Sequence, residues 1–415
     1  WKNRARPSTW KAPEGPRGPG TSDLTAGDEG NPGNRKSVTH LEINPPSVWI
    51  SAAEASADLH GAGLVRALQE KAPEIRCFGM GGPEMRSTGF EAVLCSEELS
   101  VMGLTEVVSA LPRILGIYKT IKTRLQETPP ACLILLDAPD FHFRLARIAH
   151  RLKIPVFYYI SPQVWAWRKG RVRFIRKYVT KMLCIFPFEK EFFAEHGVDV
   201  EFVGHPLLEE LKREDLDRIR PDPDRIGIMP GSRGKEISAL LPVFAAAAAR
   251  IAAHGPGTRF SLFLASNQHR SLIEALWPRD LDLEIIPFAG RYAGIKGCAF
   301  VLTASGTATL ECALLGTPAI VAYRVSWPTY FLASLVVDVP YISMPNIILK
   351  REVLPEFIQS RANKESLAGQ ALAWLDDPNE TARIREELES VQARLGRKRA
   401  SATSAEIILQ GLNKE

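Results

Sequence analysis

Long apolar runs are missing from this 415-residue chain: no uninterrupted stretch reaches the roughly 18–20 residues of a membrane span. The N-terminus also lacks an apolar segment of signal-peptide type. Cysteine is sparse. Cys77, Cys95, Cys132, Cys184, Cys298 and Cys312 are widely spaced, most sit in apolar runs, and none forms a C-x-x-C pair. That pattern argues against a disulfide framework or a zinc site and reads as buried thiols in a reducing compartment. Charge of one sign is lacking too, since a net charge of +5 over this length gives no argument for a nucleic-acid partner. The eight histidines make no H-E-x-x-H or H-x-x-E-H pairing, and D-x-D sequences (Asp215–Asp217, Asp222–Asp224, Asp280–Asp282) follow no apolar strand. No metal site is expected.

The first 47 residues have few aliphatics but seven prolines and six glycines. Such a segment cannot bury enough surface to order itself. It opens on Trp1 rather than methionine, so residues 1–47 are read as a disordered tail, a fragment or an over-extended reading frame, and set aside.

The chain as a whole is 45% hydrophobic and 24% charged, values of a globular protein with room for two cores. From residue 48, the strand-like runs "VWIS", "IRCFGM", "CLILLD", "PVFYYI" and "MLCIF" alternate with helical stretches at 59–71, 104–125 and 142–152. A charged, proline-punctuated segment follows, and the alternation restarts at "IGIMPGSRGKE". The expected class is α/β, with two Rossmann-like domains facing a cleft. The first spans 48–211, a linker 212–225, the second 226–360, and C-terminal helices 361–415 are expected to pack back toward the first domain. Ligands in such sheets bind beyond the carboxyl ends of the strands.

"LILLDAPDF" ends a strand in Asp137, with Asp140 three residues on. A partly desolvated carboxylate there suits a general base, the alternative being a helix cap. "YYISPQVWAWRKGRVRFIRK" places Trp165 and Trp167 beside Arg168, Lys169, Arg171, Arg173, Arg176 and Lys177. It is either a solvated basic helix or a surface for a phosphorylated or membrane-embedded substrate. Leu104, Val107, Val108, Leu111, Ile114, Leu115 and Tyr118 share one helical face, with Pro112 expected to kink or restart the helix. Core burial competes there with contact to an anionic membrane, which the flanking Arg113, Lys119, Lys122 and Arg124 would favour.

In the second half, Gly231, Ser232 and Arg233 form one strand-end loop, and Ser305, Gly306 and Thr307 another, with Glu311 one turn later. Small residues, a cation and a helix start suit a diphosphate, and an ordinary turn or cap is the competing reading. In "SAAEASAD", Ser51–x–x–Glu54 could be a capping box or part of a ligand loop. His205 in "FVGHP" reads as a turn histidine satisfied by backbone.

Together "ASADLHGAGLVRAL", "GMGGPEMRSTG", "ELSVMGLTEV", "DAPDF", "YYISPQVWAWRKGRV", "FPFEKEFF", "FVGHPL", "PGSRGKEI", "ASGTATLE" and "YISMPNII" resemble, in order, the lipid-A-disaccharide synthase family of inverting glycosyltransferases. The resemblance implies the two-domain GT-B glycosyltransferase fold. It implies transfer from UDP-2,3-diacylglucosamine to the 6-hydroxyl of 2,3-diacylglucosamine 1-phosphate, giving a β-1,6 disaccharide phosphate and UDP, with no metal or other cofactor. Work at the cytoplasmic face of the inner membrane, as a peripheral protein, follows from it, and a homodimer stays open. By the same resemblance Asp137 is the base. Arg233 and the Ser305–Thr307 loop would offset the leaving diphosphate, Glu311 would meet the ribose, and Asn346 would help hold the donor. Glu54, Ser56 and Asp58, kept from a motif like "AGEASGD", fall in an acceptor-side loop, with Arg168 and Arg171 as acceptor-phosphate candidates. Ala53 and Ala57 stand where that motif has glycine, which costs nothing if φ is negative and about 1 kcal/mol or more if it is positive. Two other readings compete: another GT-B UDP-sugar enzyme (an epimerase or peptidoglycan-type transferase), or a non-catalytic membrane-associated UDP-sugar binder.

Overall fold

The computed structural model describes residues 46–100, 107–166, 169–211, 213–336 and 339–413. The tail lies outside them. Strands β1 (Ser47–Ala52), β2 (Arg76–Gly81), β3 (Glu91–Cys95), β4 (Cys132–Leu136), β5 (Val156–Tyr159), β6 (Lys181–Cys184) and β7 (Val200–Phe202) form one sheet in the order β3-β2-β1-β4-β5-β6-β7. Among the described residues every strand pairing in it is parallel.

Both faces of the sheet's centre are covered, so the central strands β1, β4 and β5 are buried almost throughout rather than alternately. The period of two still sorts the side chains. Val48 and Ile50 join one buried cluster with Leu64 and Leu68 of helix Ala55–Lys71, while Trp49 joins another with Ile121 and Leu125 of helix Val107–Glu127. All five residues of β4 are buried, its three leucines and one isoleucine each worth about 1.5–3 kcal/mol relative to exposure.

A second sheet follows. It comprises β8 (Asp222–Met229), β9 (Arg259–Phe263), β10 (Glu284–Ile286), β11 (Cys298–Ala304), β12 (Ala319–Tyr323) and β13 (Glu356–Ile358) in the order β10-β9-β8-β11-β12-β13. Helix Gly234–His254 is long and apolar enough to cross a membrane, by length and composition. Its Ile237, Leu240, Leu241, Phe244 and Ile251 are instead buried within the core. The expected linker holds a helical turn, Arg213–Leu216, and the start of β8.

The chain crosses back at its end. Helices Lys364–Asp376 and Pro378–Leu395 lie on the second lobe, where Arg385 donates to the carbonyls of Gly316 and Ala299. Helix Ala400–Leu412 returns to the first, its Ser401 N–H donating to Glu209 at 2.7 Å. In each sheet the strand order reverses once, between β1 and β4 and between β8 and β11. A crevice opens at such a reversal beyond the strand ends.

Candidate active site

The first crevice takes the loop after β1 and the loop after β4. Asp137 follows β4 directly, and Asp137 and Ala138 both have positive φ (50° and 43°). Two adjacent left-handed residues other than glycine are strained, and such strain persists only where the surroundings fix it. Here the Asp137 carbonyl accepts from the Tyr158 hydroxyl at 2.6 Å and from His142 Nδ1 at 2.7 Å. A carbonyl can only accept, so Nδ1 carries the proton and Nε2 accepts from the Ser51 hydroxyl at 2.9 Å. Burial pushes His142 down to about 4 and keeps the ring neutral, against the pull of that carbonyl. The sequence reading missed His142 and Tyr158. The only available signal was the position of His142, one turn into the helix that Asp137 precedes.

Neither aspartate is the N-cap of helix Pro139–Arg151. That position is Ala138, with no side-chain cap. Asp140 instead pairs with Arg171 at 2.6 Å, and Arg168 lies outside the described residues. Ala53 and Ala57 are buried and absent from the positive-φ residues, so alanine there is unstrained. The capping-box alternative fails, since Glu54 is itself the N-cap without a side-chain bond and Ser51 is committed to His142. Glu54 and Ser56 are exposed at the crevice edge. Asp58 is a correction: its buried carboxylate accepts from the N–H groups of Gly82 (2.7 Å), Glu84 (2.9 Å) and Met85 (3.1 Å). It staples the start of helix Pro83–Arg86 and has little left for an acceptor.

The second crevice takes the loops after β8 and β11. Gly231 has φ +114°, and a Cβ there would meet Glu236 at 2.6 Å, so only glycine fits. Glu236 accepts from the N–H groups of Ser232 and Arg233 and pairs with the Arg233 guanidinium at 3.4 Å. That guanidinium is 75% exposed and thus lightly held. Gly306 has φ +152° with open space where a side chain would be, just before helix Thr307–Leu314. Thr307 is exposed, whereas the Ser305 hydroxyl donates to the Ile342 carbonyl at 2.8 Å.

Glu311 is nearly buried, and burial raises its pKa against the pull of Arg291, whose Nε lies 3.3 Å away. Arg291 also meets Glu210 at 3.5 Å, and Glu210 accepts from the Tyr292 hydroxyl at 2.7 Å. His60 of the first lobe lies 3.6 Å from the same carboxylate. Asn346 is the second correction. Its amide oxygen accepts from the Val353 and Leu354 N–H groups, and its nitrogen donates to the Leu354 carbonyl and to Glu356. That full set makes it a buried brace beneath the Ile342–Ser343 turn, which Glu356 also holds. His205 accepts from the Leu207 N–H, and burial pushes it down to about 3.

One electrostatic relation joins the crevices. Burial first, then the Glu54 charge, push Asp137 from 3.8 up to about 6, while a backbone hydrogen bond at Ala138 and the Arg233 guanidinium pull it down.

The helical stripe at 104–118 divides. Leu104 lies outside the described residues, as do the side chains of Val107, Val108 and Leu111. Tyr118 is buried, and Ile114 is partly buried against the core. Leu115 is 55% exposed. Helix Val107–Glu127 also continues through Pro112 rather than restarting there. Trp327 and Phe331 of helix Trp327–Val336 are about two-thirds exposed, and Tyr323 before them lies in the field of Glu236 and Arg233. Among the described residues, no cluster of three or more His, Cys, Asp or Glu could hold a metal.

Solved structures with this architecture include the UDP-GlcNAc 2-epimerase from Neisseria meningitidis bound to UDP-GlcNAc (TM-score 0.60, 14% identity, covering 89% of this chain and 99% of that one). The calicheamicin glycosyltransferase CalG4 is similar as well (TM-score 0.59, 16% identity, 90% and 99% covered). At such identities the likeness establishes the GT-B fold alone. Sequence relatives go further. The lipid-A-disaccharide synthase of Syntrophus aciditrophicus is 39% identical over 385 residues (90% of this chain, 99% of the relative). That of Geobacter metallireducens is 40% identical over 379 (89% and 98%). The model of the lipid-A-disaccharide synthetase family matches residues 48–410, so the chain belongs to that family of glycosyltransferases.

Proposed function

We propose that the protein moves 2,3-diacylglucosamine from UDP to the 6-hydroxyl of 2,3-diacylglucosamine 1-phosphate in a single inverting displacement without a metal. In this reading the first lobe takes the acceptor and the second the UDP-sugar. Asp137 accepts the hydroxyl proton as the oxygen attacks the anomeric carbon, and the bond to the diphosphate breaks on the opposite side. Arg233 and the start of helix Thr307–Leu314 offset the charge that develops on UDP. Glu311, held by Arg291, is assigned to the ribose.

The observation that carries the reading is the position of Asp137 and Arg233, each in a loop beyond a strand-order reversal, with burial and the Glu54 charge raising the Asp137 carboxyl. A carboxylate poised near 6 is mostly ionised at neutral pH, yet basic enough to take a proton in the transition state. Exposed Leu115 in the first lobe and exposed Trp327 and Phe331 in the second support a peripheral membrane association that brings both lipid substrates to the crevices.

The test incubates the protein with both lipids in the presence of EDTA, followed by mass analysis and NMR of the new linkage. A β-1,6 disaccharide 1-phosphate is expected. An α linkage, or activity lost to EDTA and restored by a divalent cation, would refute inversion or metal independence respectively.

A further inference from the structure

Along the outer side of helix Pro139–Arg151 lies a cavity of about 290 Å³, lined by Asp140, Phe143, Arg144, Arg147, Arg171 and Phe174. The phenyl rings of Phe143 and Phe174, 4.7 Å apart, give it an aromatic wall. Its guanidinium groups ride on rings: Arg171 at 5.5 Å over Phe143, Arg147 at 4.9 Å over Phe174, and Arg144 at 5.5 Å over Tyr118. Stacking of this kind orients an arginine while leaving its N–H edge available. Among the described lining residues Asp140 is the one acid, and it pairs with Arg171. Among the described residues, neither Arg144 nor Arg147 makes an ion pair with a carboxylate.

Three guanidinium groups against one carboxylate leave an excess of two positive charges. That excess matches the roughly −1.5 to −2 of a phosphomonoester at neutral pH. A fully polar anion would have no use for the aromatic wall, whereas a phosphate borne by a lipid-like molecule fits both halves. Packing links the cavity to the Asp137 turn. Phe143 meets the Tyr158 ring at 6.2 Å, and the Tyr158 hydroxyl donates to the Asp137 carbonyl.

We infer that this cavity binds the phosphomonoester of the acceptor glycolipid, with Arg144 and Arg147 as phosphate ligands beside Arg171. The inference rests on the proposed function. It adds two arginines that lie outside the basic run at 168–177. It also explains why helix Pro139–Arg151 carries both the turn of the base and the cations of the acceptor site.

The test is the double variant Arg144→Gln/Arg147→Gln, both positions being exposed, with its fold checked by thermal melting. Loss of about tenfold in affinity per charge-assisted contact predicts that kcat/KM for 2,3-diacylglucosamine 1-phosphate falls about a hundredfold. The KM for the UDP donor should stay within about twofold, and Arg144→Lys/Arg147→Lys should recover at least about tenfold, because charge survives but the bidentate fork does not. With the dephosphorylated acceptor, wild type and variant should turn over equally. An unchanged acceptor kcat/KM, or an equal loss on the dephosphorylated acceptor, overturns the inference. So does a variant that loses only its binding to phosphatidylglycerol vesicles, which would make the cavity a bilayer headgroup site. Calorimetric binding of the phosphorylated lipid is measured beside turnover. Arginine-dependent binding without any disaccharide from wild type would sink the proposed function and leave the cavity standing.

Discussion

Replacing Asp137 with asparagine should make the protein both inactive and more stable, with one pH governing the two effects. The rise from 3.8 to about 6 disfavours the ionised carboxyl in the fold, by about 3 kcal/mol. A raised carboxyl pKa means that this group's contribution to stability is complete below about pH 4. It is lost as pH climbs through 6. Asparagine cannot ionise, so wild type and variant should melt alike near pH 4. At pH 8 the variant should be more stable by up to about 3 kcal/mol, or roughly 2–4 °C per kcal/mol for a lobe of this size. Loss of the base should lower kcat by about a hundredfold to ten-thousandfold, with UDP affinity close to normal. The assay is paired: melting temperature of both proteins from pH 4 to 8, and the wild-type pH–rate profile of kcat/KM. A rate that falls tenfold per pH unit below about 6, and a stability gap that opens over the same interval, are expected. A constant gap, or full turnover in the variant, would refute the assignment.

The neighbours of Asp137 should move that acid limb in opposite directions. Glu54→Gln removes a charge that raises the carboxyl and should shift the limb to lower pH, while Arg233→Gln should shift it upward and weaken UDP binding; shifts of one sign would contradict the geometry. Asn346→Ala leaves the Val353 and Leu354 amides and Glu356 short of partners, at about 1–3 kcal/mol for each buried group. A marked drop in melting temperature is expected, with UDP affinity at low temperature within about threefold; selective loss of UDP binding in a stably folded variant would make Asn346 a ligand after all. Leu115→Glu, at an exposed position, should weaken sedimentation with phosphatidylglycerol vesicles while the melting curve holds, and unchanged sedimentation would remove that helix from the membrane contact.

The sequence exposed the fold because strand-length apolar runs alternate with helical patterns, and runs such as "CLILLD" stop on chemistry-bearing residues at the carboxyl end. Asp137, Arg233 and the Ser305–Thr307 loop each stand beyond such a run, at a strand-order reversal that pattern alone does not locate. Motif residues of similar chemistry were harder to sort. Asp58 looks like a ligand group but fastens "ASADLHG" to "GMGGPEMR" through three backbone amides. Glu189 does the same between "FPFEKEFF" and "SPQVWAWR", accepting from Trp165 Nε1 at 3.0 Å while fully buried. Asn346 braces its own turn. A polar side chain that satisfies backbone and one that meets substrate carry the same letter in a sequence, and only burial and partner count separate them. Arg291 and Glu210 were missed for the converse reason, because they become neighbours across 81 positions only once both lobes are folded.

Glu210 gives that arrangement a mechanical side. Its single carboxylate is shared by His60 from one half of the molecule and by Arg291 and Tyr292 from the other. Prising the halves apart would strip Arg291, only 11% exposed, of half its countercharge while it still gripped Glu311. Arg291 thus ties the contact between the halves to the residue assigned to the ribose, and a ligand that drew Glu311 toward itself would act on the Arg291–Glu210 pair as well.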